Sequence, residues 1–236
     1  MRASVTAATV VALGAALSSR VVSAVELDGS AMVVSDYRFR SESLGNRQPV
    51  GEISLEASVP AGWFAGLSAV TSAYSRAPAA AAGRYAEVDL SAGWSKSFGL
   101  LTPSAGLIGY VYPGGSRAAS VEAFGALAAK LGPAAITGGV NYAPRQANLR
   151  RDNLYLSLSP SIGVPGTPLT LRASVGREAG SLQGGSRPKL DYGAGVEARY
   201  RRLTFTARWS ANDLGAAGYD RRRARAGLSV GIGATF

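Results

Sequence analysis

Residues 223–236, which end the chain, alternate in chemistry from one position to the next. Ala224, Ala226, Leu228, Val230, Ile232, Ala234 and Phe236 share one parity, and Arg223, Arg225, Gly227, Ser229, Gly231, Gly233 and Thr235 share the other. Successive side chains of a strand point to opposite faces, so this segment has one apolar face and one that is polar or bare. Half-buried strands of soluble sandwiches alternate too, but they usually run to about five or six residues. A tilted strand crossing a bilayer needs about nine to eleven, which this run supplies.

The pattern recurs along the chain. Ile53, Leu55, Ala57 and Val59 alternate with Glu52, Ser54, Glu56 and Ser58, and Ala86, Val88, Leu90, Ala92 and Trp94 with Glu87, Asp89, Ser91, Gly93 and Ser95. Tyr192, Ala194, Val196, Ala198 and Tyr200 alternate with Asp191, Gly193, Gly195, Glu197 and Arg199, and Leu203, Phe205, Ala207 and Trp209 with Thr204, Thr206, Arg208 and Ser210. Charges almost never fall on the apolar parity. A lipid surface requires this, because Arg or Lys facing lipid at mid-bilayer costs about 2–4 kcal/mol.

Strands are expected near 31–40, 51–59, 63–71, 85–96, 103–112, 119–131, 134–142, 152–160, 168–177, 190–200, 203–211 and 223–236. The linkers alternate between tight turns such as Pro60-Ala61-Gly62, Gly132-Pro133 and Arg201-Arg202 and longer stretches such as 72–84, 143–151, 178–189 and 212–222. Short periplasmic turns and long external loops are the habit of bacterial barrels. The expected fold is therefore all-β: a closed antiparallel up-and-down transmembrane barrel of about 12 strands. Its first and last strands should lie side by side.

The 236 residues read as one domain behind a leader. Residues 1–24 read as a signal peptide: Met1-Arg2, an apolar run over 3–17, then Val22-Ser23-Ala24, with Val25 as provisional mature start and 25–236 as the barrel. After that leader no stretch of eighteen apolar residues exists, so a helical span is not supported.

The sequence has no cysteine and no histidine. Disulfides, thiolate metal sites, ordinary zinc sites and histidine-based nucleophile systems are thereby removed. No catalytic residue, metal or cofactor is expected, and the chain does not read as an enzyme. The net charge of +10 would suit an anionic partner, but the basic residues are spaced by two on strands or sit in loops. They form no aromatic-interleaved patch, and nucleic acid is not an expected partner.

The inward parity suggests a lumen with two walls. Glu52, Glu56, Glu87, Asp89 and Glu122 make early strands acidic, whereas Arg172, Arg199, Arg208, Arg223 and Arg225 make late strands basic, with Glu197 among them. Asp36, Arg38 and Arg40, placed on the first strand, would continue the basic wall through closure. Opposed walls would set a transverse field in which small hydrophilic solutes orient. Alternatively the charges meet, and their ion pairs plug the barrel. Aromatics near strand ends, Tyr37, Phe39, Trp63, Phe64, Trp94, Tyr110, Tyr112, Tyr200, Trp209 and Phe236, are expected to form interfacial girdles. Arg150, Arg151, Arg221 and Arg222 in external loops are solvated or meet lipopolysaccharide phosphates.

Several stretches carry a family resemblance. Residues 33–40, VVSDYRFR, resemble the opening strand of the TorF-type porin family, and YVYPG at 110–114, GVNYAP at 139–144, DNLY at 152–155 and PGTPLTL at 165–171 follow in that family's order. Ser41-Glu42-Ser43 stands where a glycine and a serine-rich turn are usual, and the eleventh strand with Arg208 and Trp209 also departs. The resemblance implies an outer-membrane barrel for passive transport, without catalytic residues. The terminal Phe236 is similar to the signal read by barrel-assembly machinery.

Overall fold

A computed structural model describes residues 24–74, 84–113, 119–147, 149–182, 187–214 and 221–236. The leader expected over 1–24 lies, apart from Ala24, outside these described residues. After β1 (Glu26–Val34) come two short strands, β2 (Arg38–Phe39) and β3 (Glu42–Ser43). The chain continues through β4 (Val50–Ser58), β5 (Trp63–Tyr74), β6 (Arg84–Ser95), β7 (Leu101–Val111), β8 (Ser120–Leu131) and β9 (Ala134–Ala143). It closes with β10 (Asn153–Gly163), β11 (Leu169–Gly180), β12 (Lys189–Tyr200), β13 (Leu203–Asn212), a helical turn α1 (Arg221–Ala224) and β14 (Gly227–Thr235). Twelve strands form one closed antiparallel barrel in which β1 joins β14 to β4, while β2 and β3 pair only with each other.

The seam is the expected one. Ser30 faces Thr235 and Val34 faces Gly231 across β1 and β14. Gly29 and Phe236 exchange both backbone hydrogen bonds at 2.9 Å. The Phe236 ring lies over Gly29 so closely that a Cβ there would push the ring aside.

Both seam strands nevertheless differ from expectation. The first runs over Glu26–Val34 rather than 31–40, because its rungs to β14 end at Ser35, whose amide donates to Val230 O at 2.8 Å. Beyond it the chain turns into the barrel. The last begins at Gly227, not at 223: the carbonyls of Arg225 and Ala226 accept from the guanidinium groups of Arg38 and Arg47 instead of a neighbouring strand. Arg223 therefore lies in α1, and Arg225 is an exposed rim residue rather than a wall residue.

Outward positions carry the apolar parity. Leu27 is 75% exposed, Leu228 63% and Trp63 63%, with Leu55, Leu90, Leu107, Leu127, Leu158, Leu171 and Val230 also exposed. So large an apolar belt is unstable in water and natural in hydrocarbon. Arg177 departs from the pattern. It faces outward in register with Leu156 and Leu190, but near the end of β11, where the cost of a cation falls to about 0–1 kcal/mol.

The aromatics divide into two populations. Trp63 and Trp94 pair in register, and with Tyr200 and Phe236 they form an outward girdle at the end of the barrel, here called the terminal end, where β1 begins and β14 ends. Tyr37, Phe39, Tyr110 and Tyr112 are instead buried inside, with Phe64 packed against them. Sequence position near a strand end did not distinguish the two, because parity decides the face.

Turns at the terminal end are short, as between β8 and β9 or β12 and β13, and the connections at the opposite end are longer. Parity makes a pair of expected outcomes. Leu158→Arg, on the outward face of β10, should lower stability by about 2–4 kcal/mol, whereas the inward neighbour Ser159→Arg should cost far less. Urea titration of refolding into lipid vesicles measures both, and equal losses would contradict the assigned faces.

Candidate functional site: an infolded segment above a charged lumen

Residues 35–49 fold into the barrel from the long-loop end. The local sequence gives the reason: residues 35–40, SDYRFR, alternate polar and aromatic groups and offer no wholly apolar face to lipid, so their polar groups need partners inside. A two-residue turn joins β2 and β3 with Arg40 at φ 46° and Ser41 at φ 62°, the left-handed pair that suits a hairpin's twist. Asn46 and Arg47, at φ 55° and 58°, make a second such turn, closed by Gln48 N to Gly45 O at 3.1 Å. Non-glycine residues there cost on the order of 1–3 kcal/mol each, so contacts with the wall must offset them.

Asp36 and Arg38 supply some of those contacts. The Asp36 carboxylate accepts from Arg38 Nη1 at 2.7 Å, Ser43 Oγ at 2.5 Å and the Arg47 amide at 3.2 Å. Arg38 reaches outward to the wall, donating through Nε to Ser210 Oγ at 2.9 Å and through Nη2 to Arg225 O at 2.7 Å. Ser229 Oγ returns a bond to Asp36 O at 2.8 Å. One face of the hairpin is thus stitched to β13 and β14.

Arg40 anchors the other face. Its guanidinium is buried and donates to Glu178 on β11 and, at 2.6 Å, to Glu122 on β8. It sits between the rings of Phe39 and Tyr155, 4.6 and 4.2 Å from their centroids, an arrangement favourable to a desolvated cation. Burial works against the charge, but Glu122 and Glu178 hold its pKa well above the usual arginine range. Beside it Lys189 Nζ bridges Glu42 at 2.7 Å and Glu178 at 2.8 Å. Tyr110 and Asn153 donate to Glu122 and Glu178, at 3.3 and 3.1 Å, and Tyr37 donates to Glu87 at 2.9 Å. Tyr155 lies along the inner wall across β11 to reach Asp191 on β12, over Gly176, where a Cβ would clash with the phenol.

The sites expected on the inward parity therefore divide by depth. Glu87, Asp89 and Glu122 are buried around the infolded segment. Glu52 is half-buried and shares a rung with Val70 and Glu87 at the level of the hairpin, whereas Glu56, Arg172, Glu197 and Arg199 are half-buried and Arg208 is exposed on inward positions below it. There Glu197 accepts from Arg199 at 2.6 Å and from Arg172 at 3.3 Å. Asp28 faces Glu56 in register on adjoining strands. Thr137, Ser157, Ser159 and Thr206 also stand half-exposed on inward positions, so the terminal half of the barrel is a polar, water-accessible cup. Asp36, Arg38 and Arg40 do not extend a strand wall; they cap the cup from above.

Four participants are missing from the expected lumen residues. Glu178 and Lys189 each prolong the strand by an inward position, so following parity through Arg177 would have found them. Asp191 carries inward parity and bonds Tyr155 at 3.3 Å. Glu42 gave no signal, since only the infolding brings it to Lys189. Among the described residues no group of three or more acidic side chains is arranged to hold a metal ion.

Arg40→Ala should destabilise the folded barrel by about 3–5 kcal/mol, because it strands two buried carboxylates. Adding Glu122→Gln and Glu178→Gln to it should restore part of that loss. Denaturant titration in detergent micelles reads both steps, and additive losses would contradict the network.

Residues 19–230 match a family described as Gcw_chp, bacterial protein of unknown function. No curated protein matches the chain. Among solved structures, the NanC porin is 13% identical with a TM-score of 0.58, over 89% of this chain and 99% of that one. The KdgM porin, solved in complex with disordered oligogalacturonate, is 8% identical with a TM-score of 0.59, over 89% and 98%. Such likenesses describe the shared barrel fold, while the match across most of the sequence assigns the kinship: the chain belongs to the Gcw_chp family of bacterial proteins.

Proposed function

We propose that the protein is an outer-membrane porin-like channel for passive diffusion of small hydrophilic solutes, with residues 35–49 as its constriction. The observation that carries this reading is the contrast in depth. Inward side chains around the hairpin are buried, whereas Glu56, Arg172, Glu197, Arg199 and Arg208 below it stay open to water. A purely structural barrel has no need of a hydrated polar cup. The barrel shape shared with two porins and the motif resemblance to TorF-type porins agree with it.

The walls give the cup a direction. In the ring order β11 lies six places from β5, the strand beside β4 and its half-buried Glu56, so the arginine wall faces the side of the cup that carries Glu56. Polar solutes would cross a transverse field at close quarters. Export through residues 1–24, insertion by barrel-assembly machinery guided by Phe236, and lipopolysaccharide around the long-loop rim complete the reading. Arg177 and the exposed Arg150 and Arg151 suit headgroup phosphates there.

A second reading draws on the Arg40 and Lys189 network: a barrel permanently closed by its hairpin, structural or lipopolysaccharide-binding, without conductance. Planar bilayers separate the two. Folded protein, verified by heat-modifiable mobility, should give discrete current steps, and replacing 37–44 by a short glycine linker should enlarge them roughly twofold or more. Folded protein without steps would favour the closed barrel.

A further inference from the structure

We propose that the inner wall of β11–β13 holds a binding site for small oxyanions, carboxylate- or phosphate-bearing, built from Arg172, Arg199 and Arg208. It rests on the channel reading for its access route, but its geometry stands alone. Register places Arg172 opposite Gly195 and Gly195 opposite Arg208. Two guanidinium-bearing side chains thus flank, at one level, a residue with no side chain. Arg208 runs across the neighbouring Gly193, where an added Cβ would come within 3.3 Å of its Nε, and ends on Ser174 Oγ at 2.8 Å. Gly195 leaves a bay without a side chain between Arg172 and Arg208, while Gly193 is covered by Arg208 itself.

Charge in the bay is not balanced. Glu197 serves both Arg199, at 2.6 Å, and Arg172, at 3.3 Å. Among the described residues Arg208 has no ion-pair partner, and Arg172 Nε is enclosed without a hydrogen-bond acceptor. Asp191, the next acidic group toward the hairpin, accepts from Tyr155 at 3.3 Å through one oxygen, and its other oxygen is enclosed without a donor. Three guanidinium groups against the carboxylates of Glu197 and Asp191 leave one positive charge in excess on this strip of wall. Above them Arg38, bound to Ser210 beside Arg208, is held by Asp36.

A merely structural strip would be served better by a second carboxylate or by serine and threonine, which occupy inward positions nearby at Ser161, Thr170 and Thr206. Unpaired like charges on adjoining strands repel and cost stability. A planar guanidinium offers five donors, and Arg208 spends one on a neutral hydroxyl. Its remaining edge fits the two oxygens of a carboxylate or phosphate, with Arg172 facing it across Gly195.

The test uses the full chain in planar bilayers, with succinate and inorganic phosphate as separate probes of chloride current. The expected result is anion-selective current that millimolar probe reduces. In Arg172→Gln/Arg208→Gln the block should weaken on the order of tenfold, as local anion concentration falls with the wall's charge. Glu197→Gln should strengthen it, which a structural role for these residues would not produce. Block by succinate alone assigns carboxylates; block by phosphate alone assigns phosphates. Equal block of parent and arginine variants overturns the site. If folded protein carries no current, the channel reading fails, and calorimetric titration of the same probes into the micelle-bound protein decides the site: heat lost in Arg208→Gln supports it, and no heat in the parent overturns it.

Discussion

A sheet in hydrocarbon must leave no backbone amide unpaired, and the rungs between β1 and β14 meet that condition here. Most other features follow from closure. Once the ring is shut, every inward position of twelve strands faces either water or another part of the protein, and a charge placed there needs a partner or a hydrated lumen. Both solutions are present, at different depths. The long-loop half fills itself with residues 35–49, while the terminal half keeps its charges wet.

The infolded hairpin is held by ions rather than by an apolar core. Its apolar contacts join Tyr37, Phe39 and Leu44 to Val34, Val50 and Val70 of the wall, together with the Phe39 contact to Tyr110. Against this stand four left-handed non-glycine residues between Arg40 and Arg47. Buried ion pairs seldom add much net stability over apolar replacements, because desolvation cancels much of the Coulomb gain. They do punish any other placement, since moving Arg40 would strand Glu122 and Glu178 together. Conformational specificity is the stronger account of why the segment carries charge at its centre.

Where sequence patterning was sufficient, it was so because one face had to be apolar. The alternations at 53–59, 86–94, 192–200 and 203–209 became β4, β6, β12 and β13, and the seam strand was recognisable down to Phe236. Patterning misled where a segment alternates without facing lipid. Residues 35–40 satisfy period two, so they look like the end of a first strand, yet the positions that would face lipid include Tyr37 and Phe39 beside nothing but charges. The same limit hid Glu42, whose partner is 147 residues away in sequence. Nearness to a strand end likewise does not sort the aromatics between girdle and interior, which parity decides on the barrel strands.

The hairpin's two faces differ in how firmly they are tied, and that difference bears on how it could act. Toward β8, β11 and β12 it is fixed by Arg40 and Lys189, buried among carboxylates. Toward β13 and β14 it is fixed by Arg38, Arg47 and Ser229, bonding largely to backbone carbonyls and a serine near the exposed rim. Bonds of the second kind exchange with water at small net cost, about 0.5–1.5 kcal/mol each, whereas the first group cannot be released without exposing or stranding charge. Any passage that opens beside the hairpin should therefore open along β13 and β14, above Arg208, and solutes using it would meet the arginine-rich wall before the carboxylates opposite.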